Sequence, residues 1–171
     1  DPQADAGRDR YLQAIDGLHF GESAAQGLTR GRNFYHGGLD MALTAPAQWA
    51  IQNAADRVVV TNAARDAGLL VRLVPPAMGT NHDEIIRRGF QPQSGRAERL
   101  LINGLAATQF TGVRVNAQGQ PEPLVVTVVS GPGIHRIALV WSARDGAALQ
   151  RARAQLLQVQ SSFRPMTAAD R

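Results

Sequence analysis

The chain of 171 residues has no cysteine, which rules out disulfides and thiolate metal sites and is compatible with an oxidising or a reducing compartment. Lysine is missing too, so all 18 basic residues are arginine. Arginine keeps its charge far into the alkaline range, so a sequence pI of 10.9 overstates the basicity of a chain whose formal net charge is only +4. The arginines are scattered and aromatics make up 5% of residues, too few to stack bases, so no nucleic-acid partner is expected. No apolar run approaches the ~18–20 residues of a membrane span, and no secretory leader is visible. The chain opens at Asp1 without Met and reads as an excised piece or a processed form, so the missing leader carries little weight.

Catalytic signatures are scarce as well. A zinc-peptidase helix needs two imidazoles one turn apart with a glutamate between them. The histidines are His19, His36, His82 and His135, and none has a partner four residues on. His82-Asp83-Glu84 has suitable residue types, but Ile86 and Arg87 follow where a second ligand would stand. The run is better explained as the acidic first turn of a capped helix. There is no Gly-x-Ser-x-Gly elbow and no phosphate-loop Gly-Lys-Ser/Thr. Neither catalysis nor a cofactor is therefore expected of this chain.

What is present is patterned for an α+β domain. Leu39–Thr44, Trp49–Gln52, Arg57–Thr61 and Gly68–Val74 read as strands, with Pro46 marking a turn. Asn81 and Glu84 have capping-box spacing and open a helix that Gly89 is expected to stop. Arg99–Ile102, Leu105–Val115, Leu124–Ser130 and Ile134–Val140 form a second strand block, with Asn103-Gly104 as a hairpin turn. A last helix over Gly146–Gln160, capped by Asp145 or Ser142, carries the apolar line Leu149, Ala152, Leu156 and Val159. The expectation is an antiparallel sheet covered by helices, an order similar to the PsbP-like sandwich at the level of fold alone.

The densest motif run lies earlier. Tyr11-Leu12, Ala14 to Leu18, Phe20-Gly21, Ser23, Gln26-Gly27, Arg30-Gly31-Arg32, Phe34, His36, Leu39, Pro46, Trp49 and Asn53 resemble a segment of bacterial HtpX/CAAX-protease-like zinc metallopeptidases. In those proteins it follows the HEXXH catalytic domain. Ala24, Gly37 and Gln48 depart from the pattern, and Ser162 to Thr167 resembles the family's junction to a further C-terminal piece. The resemblance implies a non-catalytic accessory domain of a zinc metalloprotease in the bacterial periplasm or cell envelope. The zinc would belong to the parent's catalytic domain, which would itself be a partner alongside a protein or peptide substrate. The alternative is a stand-alone α+β module that binds a ligand or peptide.

The expected organisation is a helical turn at Tyr11–Leu18 plus an extended, glycine-rich arm through residues 1–33, a domain over 34–164, and a tail over 165–171. The arm would pack on the catalytic domain or be exchanged in a dimer. Arg30, Arg32 and His36 are the candidate interface, since arginine suits ion pairs between domains; the alternative is a solvated arm. Trp49 and Trp141 stand at strand positions, either buried in the core or lining a pocket.

Overall fold

The computed structural model describes residues 27–54, 57–132 and 134–170. The lead-in, the turn at Tyr11–Leu18 and the arm before Gly27 lie outside the described residues.

Eleven strands among the described residues form two antiparallel sheets. The smaller contains β1 (Gly27–Arg30), β2 (Asn33–His36), β3 (Met41–Thr44) and β11 (Arg164–Pro165), in the order β1-β2-β3-β11. The larger comprises β4 (Ala50–Asn53), β5 (Arg57–Thr61), β6 (Ala67–Leu73), β7 (Ser94–Ile102), β8 (Leu105–Val115), β9 (Pro121–Ser130) and β10 (Arg136–Ala143). Its order is β4-β5-β6-β10-β9-β8-β7. The sequence reading puts all the strands from Leu39 onward in one sheet, whereas β3 belongs to the smaller one. It also treats Gly27–Arg30 as unpacked arm, whereas these residues pair with β2 from Gly27↔His36 to Arg30↔Asn33. Gly31, at φ 62°, makes the connecting turn in the left-handed region where glycine is free of Cβ strain. The residues after the last helix return to the same sheet. Arg164 pairs with Ala42, the Met166 N–H donates to the Asp40 carbonyl, and Arg164 holds Asp170 at 2.7 Å.

Helices cover both faces of the larger sheet. Helix α1 (His82–Phe90) lies over β8 and β9, and α2 (Gly146–Ser162) packs against β6, β10 and β3. Asp145, rather than Ser142, caps α2: its carboxylate accepts from the Ala148 N–H at 2.8 Å, while Ser142 lies within β10. The apolar line Leu149, Ala152, Leu156 and Val159 is buried with Phe34, Met41 and Leu43 from the smaller sheet and Val60, Leu69, Val129 and Leu139 from the larger. Under α1 a second core joins Ile85 and Ile86 to Leu124, Val126, Val128 and Ala138.

Helix α1 starts as the sequence predicts, with the Asn81 side chain accepting from the Glu84 N–H at 3.0 Å. It runs past Gly89 and ends at Gln91, which takes the left-handed cap at φ 51°. Gly89 has a packing reason instead. A Cβ there would come within 3.1 Å of the Met78 methyl in the short 3-10 turn Pro76–Met78.

Candidate functional site: a His–hydroxyl cluster beside an open groove

Strand pairing explains how distant residues meet. Arg99 on β7 lies opposite Thr108 on β8, which lies opposite Val128 on β9. Ser130 follows two residues along β9 on the same face, opposite Arg136 on β10. Helix α1 lays its first residue, His82, across this face. The imidazole Nδ1 lies 2.8 Å from Thr108 Oγ1, and Nε2 lies 2.7 Å from Ser130 Oγ. Arg99 donates to Thr108 Oγ1 at 3.1 Å and grips both oxygens of Asp83, at 3.1 and 2.7 Å.

The electrostatics favour the neutral ring. Burial lowers the affinity of His82 for a second proton, and the positive charges of Arg136 and Arg99 lower it further against the opposing pull of Asp83. The Arg99 hydrogen bonds hold Asp83 below the usual carboxylate range. Asp83 thus hydrogen-bonds Arg99 and not the imidazole, whose Nδ1 faces Thr108, so among the described residues no carboxylate orients the His82–Ser130 pair as in a hydrolytic triad.

His82, Arg99 and Thr108 open onto a groove of about 510 Å3, whose other lining includes Leu100, Leu101 and Ala106. Leu101 is 73% exposed at the groove. β7 is an edge strand of the larger sheet, paired on one side with β8 and with no other strand among the described residues. No group of three His, Asp or Glu side chains among the described residues is arranged to hold a metal ion.

The residues singled out from the sequence lie elsewhere. His36 is buried on β2, its Nδ1 accepts from the Leu39 N–H at 3.1 Å, and burial lowers its pKa. Arg32 is exposed at the β1–β2 turn; the Arg30 side chain lies outside the described set. Trp141 is buried in the α2 core, where its indole N–H donates to Gln160 Oε1 at 2.9 Å and the Arg153 guanidinium lies 5.6 Å from the ring centroid. Trp49 is half-buried against the same core. His82 was visible in the sequence as a helix-start residue, but its partners are 26 and 48 residues away. Only the register of β7, β8, β9 and β10 reveals the cluster, and no local spacing encodes that register.

No protein-family model and no curated protein matches the chain. Among solved structures, cyanobacterial PsbP (CyanoP) from Synechocystis sp. PCC 6803 is similar at 12% identity and a TM-score of 0.52. The match covers 81% of this chain and 95% of that one. The fold is PsbP-like. LpqN of Mycobacterium tuberculosis, involved in cell envelope biogenesis, is similar at 9% identity and a TM-score of 0.51. That match covers 74% of this chain and 83% of LpqN. At such identities the likeness concerns the fold alone.

Proposed function

We propose that the chain is a non-catalytic accessory domain of a bacterial cell-envelope zinc metallopeptidase, engaging a substrate or partner segment in the groove between α1 and the β7–β8 hairpin. The observation that carries the binding role is the groove itself: an open cleft with apolar walls, a fixed polar floor and an edge strand alongside. The link to a peptidase rests on the motif run from Tyr11 to Asn53. An envelope setting accords with that resemblance, and LpqN, a fold neighbour, is itself involved in envelope biogenesis.

One observation favours the stand-alone binding module as a second reading. β1 pairs along its whole length with β2, so the end of the arm is part of this domain's own sheet.

A photo-crosslinking amino acid at Leu101, in the parent protein in its own cells, tests the groove, with the exposed Val115 as control site. The expected result is a discrete adduct with a polypeptide from Leu101 and none from Val115. Equal labelling at both sites, or none, overturns a binding role for the groove. The parent coding sequence tests the second half. An HEXXH helix upstream of Asp1 is expected, and a start codon immediately before Asp1 overturns the accessory-domain reading in favour of the free-standing module.

A further inference from the structure

The hydrogen-bond chain through His82, together with the imidazole tautomer, sets which way the Ser130 hydroxyl points. A neutral imidazole donates through one nitrogen and accepts at the other. Arg99 donates to Thr108 Oγ1 and is itself fixed by Asp83. That bond uses one of the two lone pairs of the threonine oxygen, and we take the tautomer in which the Thr108 O–H donates to Nδ1 of His82. The ring proton then sits on Nε2 and is donated to Ser130 Oγ, 2.7 Å away. With its oxygen accepting from His82, Ser130 is free to donate its own proton outward. In this tautomer it is a hydrogen-bond donor.

Opposite Ser130 stands Arg136, the cation in this cluster without a carboxylate partner among the described residues. Its Nη1 bonds the carbonyl of Ile134, two residues back, at 3.2 Å, and its Nε is enclosed without any acceptor. A buried donor left unpaired is unfavourable, and Arg136, the cross-strand partner of Ser130, brings its charge near enough to His82 to lower that ring's proton affinity, so guanidinium and hydroxyl supply donors to one cluster. The cluster has two guanidiniums, Arg99 and Arg136, against the single carboxylate of Asp83. Its surroundings are apolar: Leu101 on the groove wall and Ile134, 89% exposed, beside Arg136.

We propose that Ser130 and Arg136 form a carboxylate-binding site, and that its ligand is the C-terminal carboxylate of a polypeptide whose last, apolar side chain lies against Leu101 or Ile134. This deepens the groove reading and rests on it. The Asp83–Arg99–Thr108–His82 chain acts on the ligand only through Ser130, so His82 and Thr108 are positioning residues.

The test uses the full chain and a short flexible peptide ending in leucine, as the free acid and as the C-terminal amide, with inorganic phosphate as a third arm. Binding is followed by calorimetry and by amide shifts in β7–β10. The free acid is expected to bind ~10–100-fold more tightly than the amide, the worth of a charge-assisted hydrogen bond. Arg136→Gln should remove that preference. Ser130→Ala, which deletes one oxygen and keeps the strand, should reduce it. Equal binding of acid and amide overturns the carboxylate site but leaves the groove as a peptide site. Phosphate binding as tightly as the acid overturns the polypeptide assignment in favour of a free-anion site. Retention of the acid preference in both variants shows that the residues are wrong. No binding in any arm overturns the site as stated, and the crosslink from Leu101 then decides separately whether the groove has another occupant.

Discussion

Trp141 and Gln160 meet in the middle of the α2 core, the indole N–H donating to Gln160 Oε1 at 2.9 Å. The same amide oxygen accepts from Thr127 Oγ1 at 3.1 Å, and Gln160 Nε2 donates to Gln109 Oε1 at 3.2 Å. Gln160 is 1% exposed, so this one side chain at the end of a helix satisfies the Thr127 hydroxyl of β9 and the Trp141 indole of β10. It fixes how far along the sheet α2 can sit, because a shift by one residue would strand both donors.

Gln160→Leu keeps the volume and removes the acceptor. Trp141 Nε1 and Thr127 Oγ1 then lose their partner inside the core. The expected loss is ~2–4 kcal/mol of unfolding free energy, since each orphaned buried donor costs about 1–3 kcal/mol. Urea melts followed by tryptophan fluorescence measure it. A loss under about 0.5 kcal/mol would show that water or a neighbouring side chain takes over the role.

How far the sequence foretells this core depends on periodicity. Leu149, Ala152, Leu156 and Val159 repeat at helical spacing, and all four are buried as expected. Gln160, one position beyond Val159, carries no apolar signal and reads as surface until the fold buries it. The strands show the same limit. Arg57–Thr61 and Leu105–Val115 are apolar and β-branched enough to be located to the residue. Ser94 to Glu98 is exposed on an edge strand, so no alternation announces it, and β7 begins five residues before the expected Arg99. Pro121-Glu122-Pro123 reads as a connection, yet it pairs with Val113 to Val115. Ile134, expected to begin a strand, stands exposed before β10. The His82 cluster was the least legible feature, because tertiary register assembles it.

Leu156→Ala probes the legible part. The side chain is fully buried between the two sheets, so truncation is expected to cost ~2–5 kcal/mol. A loss below half a kcal/mol would mean that the core collapses around the gap, and that packing of α2 contributes less than its burial implies.

Gly95 and Gly112 face each other across β7 and β8. A Cβ on Gly112 would lie 2.0 Å from the Ser94 carbonyl oxygen and 2.9 Å from the Phe110 ring, which covers both glycines. The ring replaces the missing side chains as cover for the backbone. Gly112→Ala is expected to destabilise by about 1–3 kcal/mol through forced strand separation, and to raise amide exchange in Ser94 to Glu98 first. Phe110→Ala, which removes the cover without a backbone clash, should loosen the same segment. Unchanged exchange there in both variants would show that the glycine pair is incidental to the hairpin.

The last prediction concerns acid. His82 and His36 both bind a proton less readily in the folded chain than at the ordinary value of about 6.5, chiefly because they are buried. For His82 the nearby charges of Arg136 and Arg99 add to this, and Asp83 opposes it. A histidine whose folded pKa is depressed favours the neutral form in the native state, so the unfolded chain takes up more protons and stability rises with pH. The contribution is present above about pH 6.5 and is lost as pH falls from there through the folded value. Asp83 and Asp66 have depressed values of the usual carboxylate kind, so their contribution disappears only in a second, more acid step, below about pH 4. The expected profile is level at neutral pH, with a first decline below about 6.5 and a second below about 4. His82→Gln should flatten the first decline and leave most of the second, because the Arg99 hydrogen bond is the largest cause of the Asp83 shift and the His82 charge a smaller one, and His36→Gln combined with it should flatten the first further. Unfolding free energies from urea melts at half-unit pH intervals give the slopes directly. An unaltered first decline in the double variant would mean that neither imidazole is its source.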